Sequence, residues 1–138
     1  MNVFLDTNVV IDFLGQRDGF FNDAAFIFSL VKDKIIKAST SALTVVNCAY
    51  ILRKAFGKDA MLSRIDALCQ LLDVTSIDRQ ALLDAAKIKP YDYEDAVQYF
   101  SSLSSHPDVI ITRDEKGFRD LGILVMTPAE FVVKVKNQ

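Results

Sequence analysis

Short, almost wholly apolar runs alternate with longer runs of helical periodicity along the whole chain, an alternation that admits few folds. Residues 2–6 predict a buried strand, 8–15 a helix ending near Gly15, and Phe20–Val31 an amphipathic helix. Phe21, Ala24, Ala25, Phe28 and Val31 share one face of that second helix. Residues 35–40 fit a second strand, and Ser41 is placed to cap a helix running to about Phe56, where Gly57 breaks it. Ala60–Leu72 supplies another helix, with Met61, Ile65, Leu68 and Leu72 spaced for burial. Residues 73–77 predict a third strand, after which Asp78 caps a helix through about Ile88 and Pro90 punctuates. Asp92 starts a helix to about Leu103, and His106-Pro107 breaks before a strand at 108–112. A short strand at 123–126 then leads into Thr127-Pro128-Ala129-Glu130. That segment has a cap residue, a proline at the first helical position and Glu three after the cap, a strong start for a final helix. The alternation predicts an α/β fold: a three-layer α/β/α sandwich around a mostly parallel sheet of four to five strands, covered on both faces. With 138 residues and no linker, repeat or low-complexity tract, residues 1–138 are expected to form a single domain.

Charge narrows the functional classes. Sixteen basic against 18 acidic side chains leave a net charge of −2, whereas a protein holding nucleic acid by overall charge is markedly basic. If this chain acts on nucleic acid, bound cations must supply much of the local positive charge. The two cysteines, Cys48 and Cys69, both fall in apolar helical stretches, which predicts two buried free thiols and a reducing compartment. No basic, apolar leader pattern opens the sequence, and the uncharged run Ala38–Leu52 is too short and too polar to span a bilayer. A cytoplasmic location without membrane association is the expectation.

The chemistry is concentrated where strands end. Phe4-Leu5-Asp6 and Val109-Ile110-Ile111-Thr112-Arg113-Asp114 are apolar strands that terminate in carboxylates, and α/β folds present ligands outside the carboxyl edge of the sheet. Asp6 and Asp114 meet there if their strands are neighbours. Asp92 and Asp95, three apart, share one helix face. Such carboxylates repel unless cations compensate them, and oxygen-only ligation selects Mg²⁺ or Mn²⁺ over zinc in a chain with a single histidine, His106. One or two ions of this kind suit phosphodiester chemistry. Capping accounts for part of the pattern, since Asp6 and Asp92 both precede helices. Tyr91, Tyr93 and Tyr99 suit base stacking or the edge of a core, and Arg113, Lys116 and Arg119 suit phosphate contacts or a solvated face. Phe20, Phe21, Phe26 and Phe28 favour core over a partner groove.

The chain resembles the PIN-domain family, the fold of many bacterial VapC-like toxin ribonucleases. The matching stretches are Phe4-Leu5-Asp6-Thr7-Asn8, Asp92-Tyr93-Glu94-Asp95-Ala96-Val97-Gln98-Tyr99, Ile110-Ile111-Thr112-Arg113-Asp114 with Phe118, and Thr127-Pro128-Ala129-Glu130-Phe131. The resemblance implies an endoribonuclease that cuts single-stranded RNA with Mg²⁺ or Mn²⁺. Asp6, Asp95 and Asp114 would be its catalytic metal ligands and Asp92 a further ligand, while Asn8 and Thr112 would orient acids or water. It further implies a homodimer and an antitoxin partner. One position departs from the family: Asn47 stands where a Glu is normal in the helix after the second strand, and Asp92 or Glu94 is placed to compensate. The alternative is therefore a weakened or inactive PIN-like module that binds RNA or a protein. A haloacid-dehalogenase-like phosphatase is disfavoured, because Asn8 replaces its second Asp and no paired acids follow the fourth strand.

Overall fold

In the computed structural model, which describes residues 1–138, the first strand β1 (Asn2–Leu5) turns Val3 and Leu5 to one side of a sheet and Phe4 to the other. The elements that follow are α1 (Thr7–Leu14), α2 (Phe21–Lys32), β2 (Lys37–Ser41), α3 (Ala42–Phe56), α4 (Lys58–Leu71) and β3 (Asp73–Thr75). After these come α5 (Arg79–Lys87), α6 (Tyr93–Ser102), β4 (Val109–Ile111), β5 (Val125–Met126) and α7 (Pro128–Lys136). The five strands are parallel in the order β3-β2-β1-β4-β5. All are short, and all but the edge pair β3 and β5 are buried runs, as a sheet covered on both faces requires.

Val3, Leu5, Ala38, Val109 and Ile111 pack against Val9, Val10, Ile27, Phe28, Cys48, Leu52, Leu68 and Phe131, which come from α1, α2, α3, α4 and α7. On the opposite side Phe4 and Ile110 meet Phe118 and Tyr99, while Ala85, Ala96 and Val97 join α5 to α6. This is the predicted three-layer α/β/α sandwich. The C-terminal helix starts as its sequence demands, with Thr127 Oγ1 accepting from the Glu130 N–H and Glu130 Oε1 accepting from the Thr127 N–H, each at 3.1 Å.

Several expectations shift. The second strand begins at Lys37, because the chain turns through a left-handed Lys34 (φ 60°) and leaves Ile35 exposed. The third strand stops at Thr75, well before residue 77. Cys69 is exposed, so only Cys48 is a buried thiol, and burial pushes it up to about 12, which leaves it unreactive at neutral pH. On α4 only Leu68 is fully buried, with Met61 and Ile65 at the margin of the core. Phe28 is core and Phe20 is not: its ring lies at the surface under the Arg113 guanidinium, 3.8 Å from the ring centroid. No helix is long and apolar enough to cross a membrane.

Candidate active site

The strand order reverses beside β1, whose neighbours are β2 on one side and β4 on the other, so a crevice opens at the carboxyl ends of β1 and β4. The register pairs Leu5 with Ile111, and the ladder continues as the Asp6 N–H donates to the Ile111 carbonyl at 3.0 Å. Asp6 therefore lies beside Thr112 at the mouth of the crevice. It caps α1 through Oδ1, which accepts from the Thr7 N–H at 2.8 Å, and Oδ2 accepts from Thr112 Oγ1 at 2.8 Å. Capping and site duty thus coexist in one side chain. Thr112 Oγ1 in turn accepts from Asn8 Nδ2 at 3.2 Å and from the Asp114 N–H at 3.0 Å, while the Arg113 N–H donates to Asn8 Oδ1 at 3.1 Å. Asn8 and Thr112 are accordingly a clasp that ties the end of β1 to the turn carrying Asp114.

Asp95 arrives from α6. Asp92 caps that helix, its Oδ1 accepting from the Asp95 N–H at 2.9 Å, so one of its two oxygens is committed to the helix start. The Asp95 carboxyl rests against Gly117 in the 3-10 turn Glu115–Phe118. A Cβ at Gly117 would stand 1.5 Å from Asp95 Oδ2, so only glycine leaves room for that acid.

The charges converge. Burial and then the charges of Asp6, Asp92, Asp114 and Glu94 push the Asp95 carboxyl up to about 8 from its ordinary 3.8. Burial likewise raises Asp6, opposed by its hydrogen bonds from Thr112 and Thr7 and reinforced by Glu94 and Asp114. Each of these five acids is thus within electrostatic reach of another, yet no three acidic, histidine or cysteine side chains are gathered closely enough to grip an ion as they stand. An all-oxygen set under mutual repulsion fits a hard cation such as Mg²⁺ or Mn²⁺ and offers nothing to a thiophilic one.

Three contributors escaped the sequence reading. Gln98 is fully buried under Asp6, accepting at Oε1 from Ser41 Oγ and donating from Nε2 to Thr44 Oγ1 at 2.8 Å, Thr7 Oγ1 at 3.2 Å and Asp6 Oδ1 at 3.4 Å. Its signal was its place three residues after Asp95, on the same helix face. Asp12, 1% exposed, holds Arg113 by two hydrogen bonds, at 2.7 Å to Nε and 3.2 Å to Nη2. Arg113 is therefore built into the fold, and neither of the alternatives the sequence left open, phosphate contact or a solvated face, describes it. Gly117 is the third. Asn47 lies at the rim, its Nδ2 3.5 Å from Glu94 Oε1, so α3 presents an amide where a carboxylate was expected and Glu94 occupies the space facing it.

The comparisons with known proteins agree with this geometry. A family model described as the PIN domain matches residues 2–116. Among solved structures, VapC20 of Mycobacterium tuberculosis, described as a sarcin-ricin loop cleaving toxin, is similar with a TM-score of 0.68 at 16% identity, over 88% of this chain and 96% of that one. DNA-bound VapBC from Salmonella typhimurium gives 0.70 at 20% identity, over 93% and 98% of the two chains. FitAcB from Neisseria gonorrhoeae gives 0.69 at 19% identity, over 92% and 98%. At these identities the likeness is one of fold. No curated protein matches in sequence. A five-stranded parallel sheet with its acids at the switch point, matched over most of its length by that family model, places this chain in the PIN-domain family.

Proposed function

We propose that the chain is a metal-dependent endoribonuclease acting on single-stranded RNA, the toxin of a toxin–antitoxin pair. The observation that carries this reading is the convergence of Asp6, Asp95 and Asp114 at the carboxyl edge of the sheet, where burial and the surrounding carboxylates push the Asp95 carboxyl up to about 8. Such a group is stabilised either by a proton or by a cation, and the charged neighbours that shift it are all carboxylates. Asp6, Asp95 and Asp114 would hold Mg²⁺ or Mn²⁺, with Glu94 facing Asn47 as a further ligand. When bound, such a cation supplies positive charge against the scissile phosphate and makes a nearby water more acidic.

The remaining residues prepare the site. Thr112 fixes the rotamer of Asp6 by donating to Oδ2, and Asn8 fixes Thr112. Gln98 supports the other carboxylate oxygen from below. Gly117 keeps the turn close enough to seal one side of Asp95. Catalytic constellations depend on such supporting contacts, because small misplacements of a ligand carry large rate penalties. An antitoxin partner is supported by the VapBC and FitAB complexes among the structures of like fold, and a homodimer and a cytoplasmic location accompany the same reading.

The test is Mn²⁺-dependent cleavage of a mixed set of single-stranded RNAs by the wild-type chain and by Asp6→Asn. Cutting that requires the metal and disappears in Asp6→Asn is the expected result. Absence of cutting at every metal concentration refutes it.

Asn47 favours a second reading, a site weakened to a binding module, because an amide lends a cation no negative charge. Asn47→Glu decides between them: it creates cleavage in an otherwise silent protein under the second reading, and leaves an active enzyme active under the first.

A further inference from the structure

A cleft of about 610 Å³ does not include the carboxylates but adjoins them through the 3-10 turn. One side is the 3-10 turn, where Lys116 adjoins the Gly117 that touches Asp95. The lining includes Tyr99, four residues beyond Asp95 and so on the same face of α6. Lys89 and Tyr91, from the link between α5 and α6, and Arg119, just after the 3-10 turn, also line it.

The lining is chemically selective. Lys89, Lys116 and Arg119 form no ion pair, because both ion pairs of the molecule are made by Asp12 with Arg17 and Arg113. Three free cations against the single acid Asp120 stand out in a chain whose net charge is −2. Tyr91 is 77% exposed and belongs to no core cluster, so packing does not explain it. The rims are also held in a costly backbone shape: Lys89 (φ 49°) and Asp120 (φ 65°) are both left-handed without being glycine, strain that persists where the surroundings over-determine it. The volume falls within the roughly 300–1,000 Å³ typical of small-ligand sites.

We propose that this cleft is a subsite for one nucleotide flanking the scissile phosphate of single-stranded RNA, with its base stacked on Tyr91 and its phosphate between Lys116 and Arg119. Cations that track a backbone beside an exposed aromatic ring are how proteins hold single strands, and a base inside a duplex cannot reach the ring. The inference rests on the ribonuclease reading for its substrate, and it explains how an acidic protein positions RNA next to a crevice of carboxylates.

The experiment measures fluorescence anisotropy of a labelled single-stranded oligoribonucleotide, and of its duplex, with the full chain in EDTA to prevent cutting. Mn²⁺-dependent cleavage of the same strand is followed in parallel. Tyr91→Ala is expected to weaken single-strand binding at least ~fivefold, as loss of one stacked base does, while Tyr91→Phe stays close to wild type and duplex affinity does not change. Lys116→Ala or Arg119→Ala should each reduce the salt slope of binding by about 0.7. Equal single-strand affinities for wild type and Tyr91→Ala, with cleavage intact, overturn the subsite and leave the ribonuclease reading standing. Binding through Tyr91 with no metal-dependent cleavage does the reverse. A wild-type chain that neither binds nor cuts single strands overturns both.

Discussion

Without a bound cation, the ionised Asp95 destabilises the fold that carries it, and replacing it by Asn should therefore stabilise the metal-free protein. Its carboxyl is raised from 3.8 to about 8, so the folded chain holds this proton more tightly than the unfolded chain does. The resulting stability is complete below about pH 3.8 and is lost progressively as pH rises through about 8. At 1.36 kcal/mol per pH unit the span has a ceiling of roughly 6 kcal/mol. Asp95 is only half-buried, and solvent screening brings the effect down to about 2 kcal/mol. Asn forgoes a charge in the first turn of α6, about 0.3–1 kcal/mol in the other direction. The net gain above pH 8 is roughly 1–2 kcal/mol, or about 4–8 °C in Tm for a domain of this size. Calorimetric melts in EDTA between about pH 4 and pH 9 measure it. Wild type and Asp95→Asn should melt together at the acidic end and diverge as pH rises, and Mn²⁺ should close the gap by stabilising wild type alone. A wild-type Tm independent of pH, or an Asn variant that is the less stable one at high pH, refutes the account of charge convergence in the crevice.

Gly117→Ala puts a methyl 1.5 Å from Asp95 Oδ2 and 2.5 Å from its Cγ, so Asp95 or the turn must move; RNA cleavage should fall more than tenfold, with a stability loss of about 1–3 kcal/mol in urea unfolding. Arg113→Ala leaves Asp12 buried with only Arg17 near it at 3.9 Å, and should cost about 3–5 kcal/mol by the same unfolding assay, most of it recovered by Asp12→Leu with Arg113→Met. Gln98→Met keeps the volume but strands the Ser41 hydroxyl, at a cost of about 1–3 kcal/mol; kcat should drop with KM unchanged, because the substitution acts through Asp6. Asn47→Glu faces Glu94 across 3.5 Å, so titration by Mn²⁺ should tighten while the metal-free Tm falls.

The elements that deliver Asp6, Asp95 and Asp114 were readable because strand ends and helix starts are local signals: an apolar run that stops at Asp, and a cap at Asp92. What connects them was not. Gln98 looks like any polar helix residue until β2 and α3 bring Ser41 and Thr44 above it. Asp12 sits in an apolar helix and gives no hint that its partner is Arg113, 101 positions away, so the sequence left Arg113 as a phosphate contact or part of a solvated face. The exposed Cys69 has the same origin, since hydropathy places α4 against a core without saying that only Leu68 is fully buried and that Met61 and Ile65 stay at its margin. Pairing across long separations is set by topology, and periodicity carries no record of it.

Chain order gives the clasp at Thr112 a temporal meaning. Asp6 is synthesised well before two groups that orient it, since Gln98 and Thr112 follow 92 and 106 positions later. The central strand likewise waits for β4 before its second edge is paired. At about 5–20 residues per second, a nascent chain spends many seconds with its first carboxylate unheld. The high sequence separation of these contacts also slows folding once synthesis ends. The proposed nuclease is therefore assembled last where it matters most, and a polypeptide released before Thr112 carries Asp6 and Asp95 but neither Asp114 nor the hydroxyl that aims Asp6.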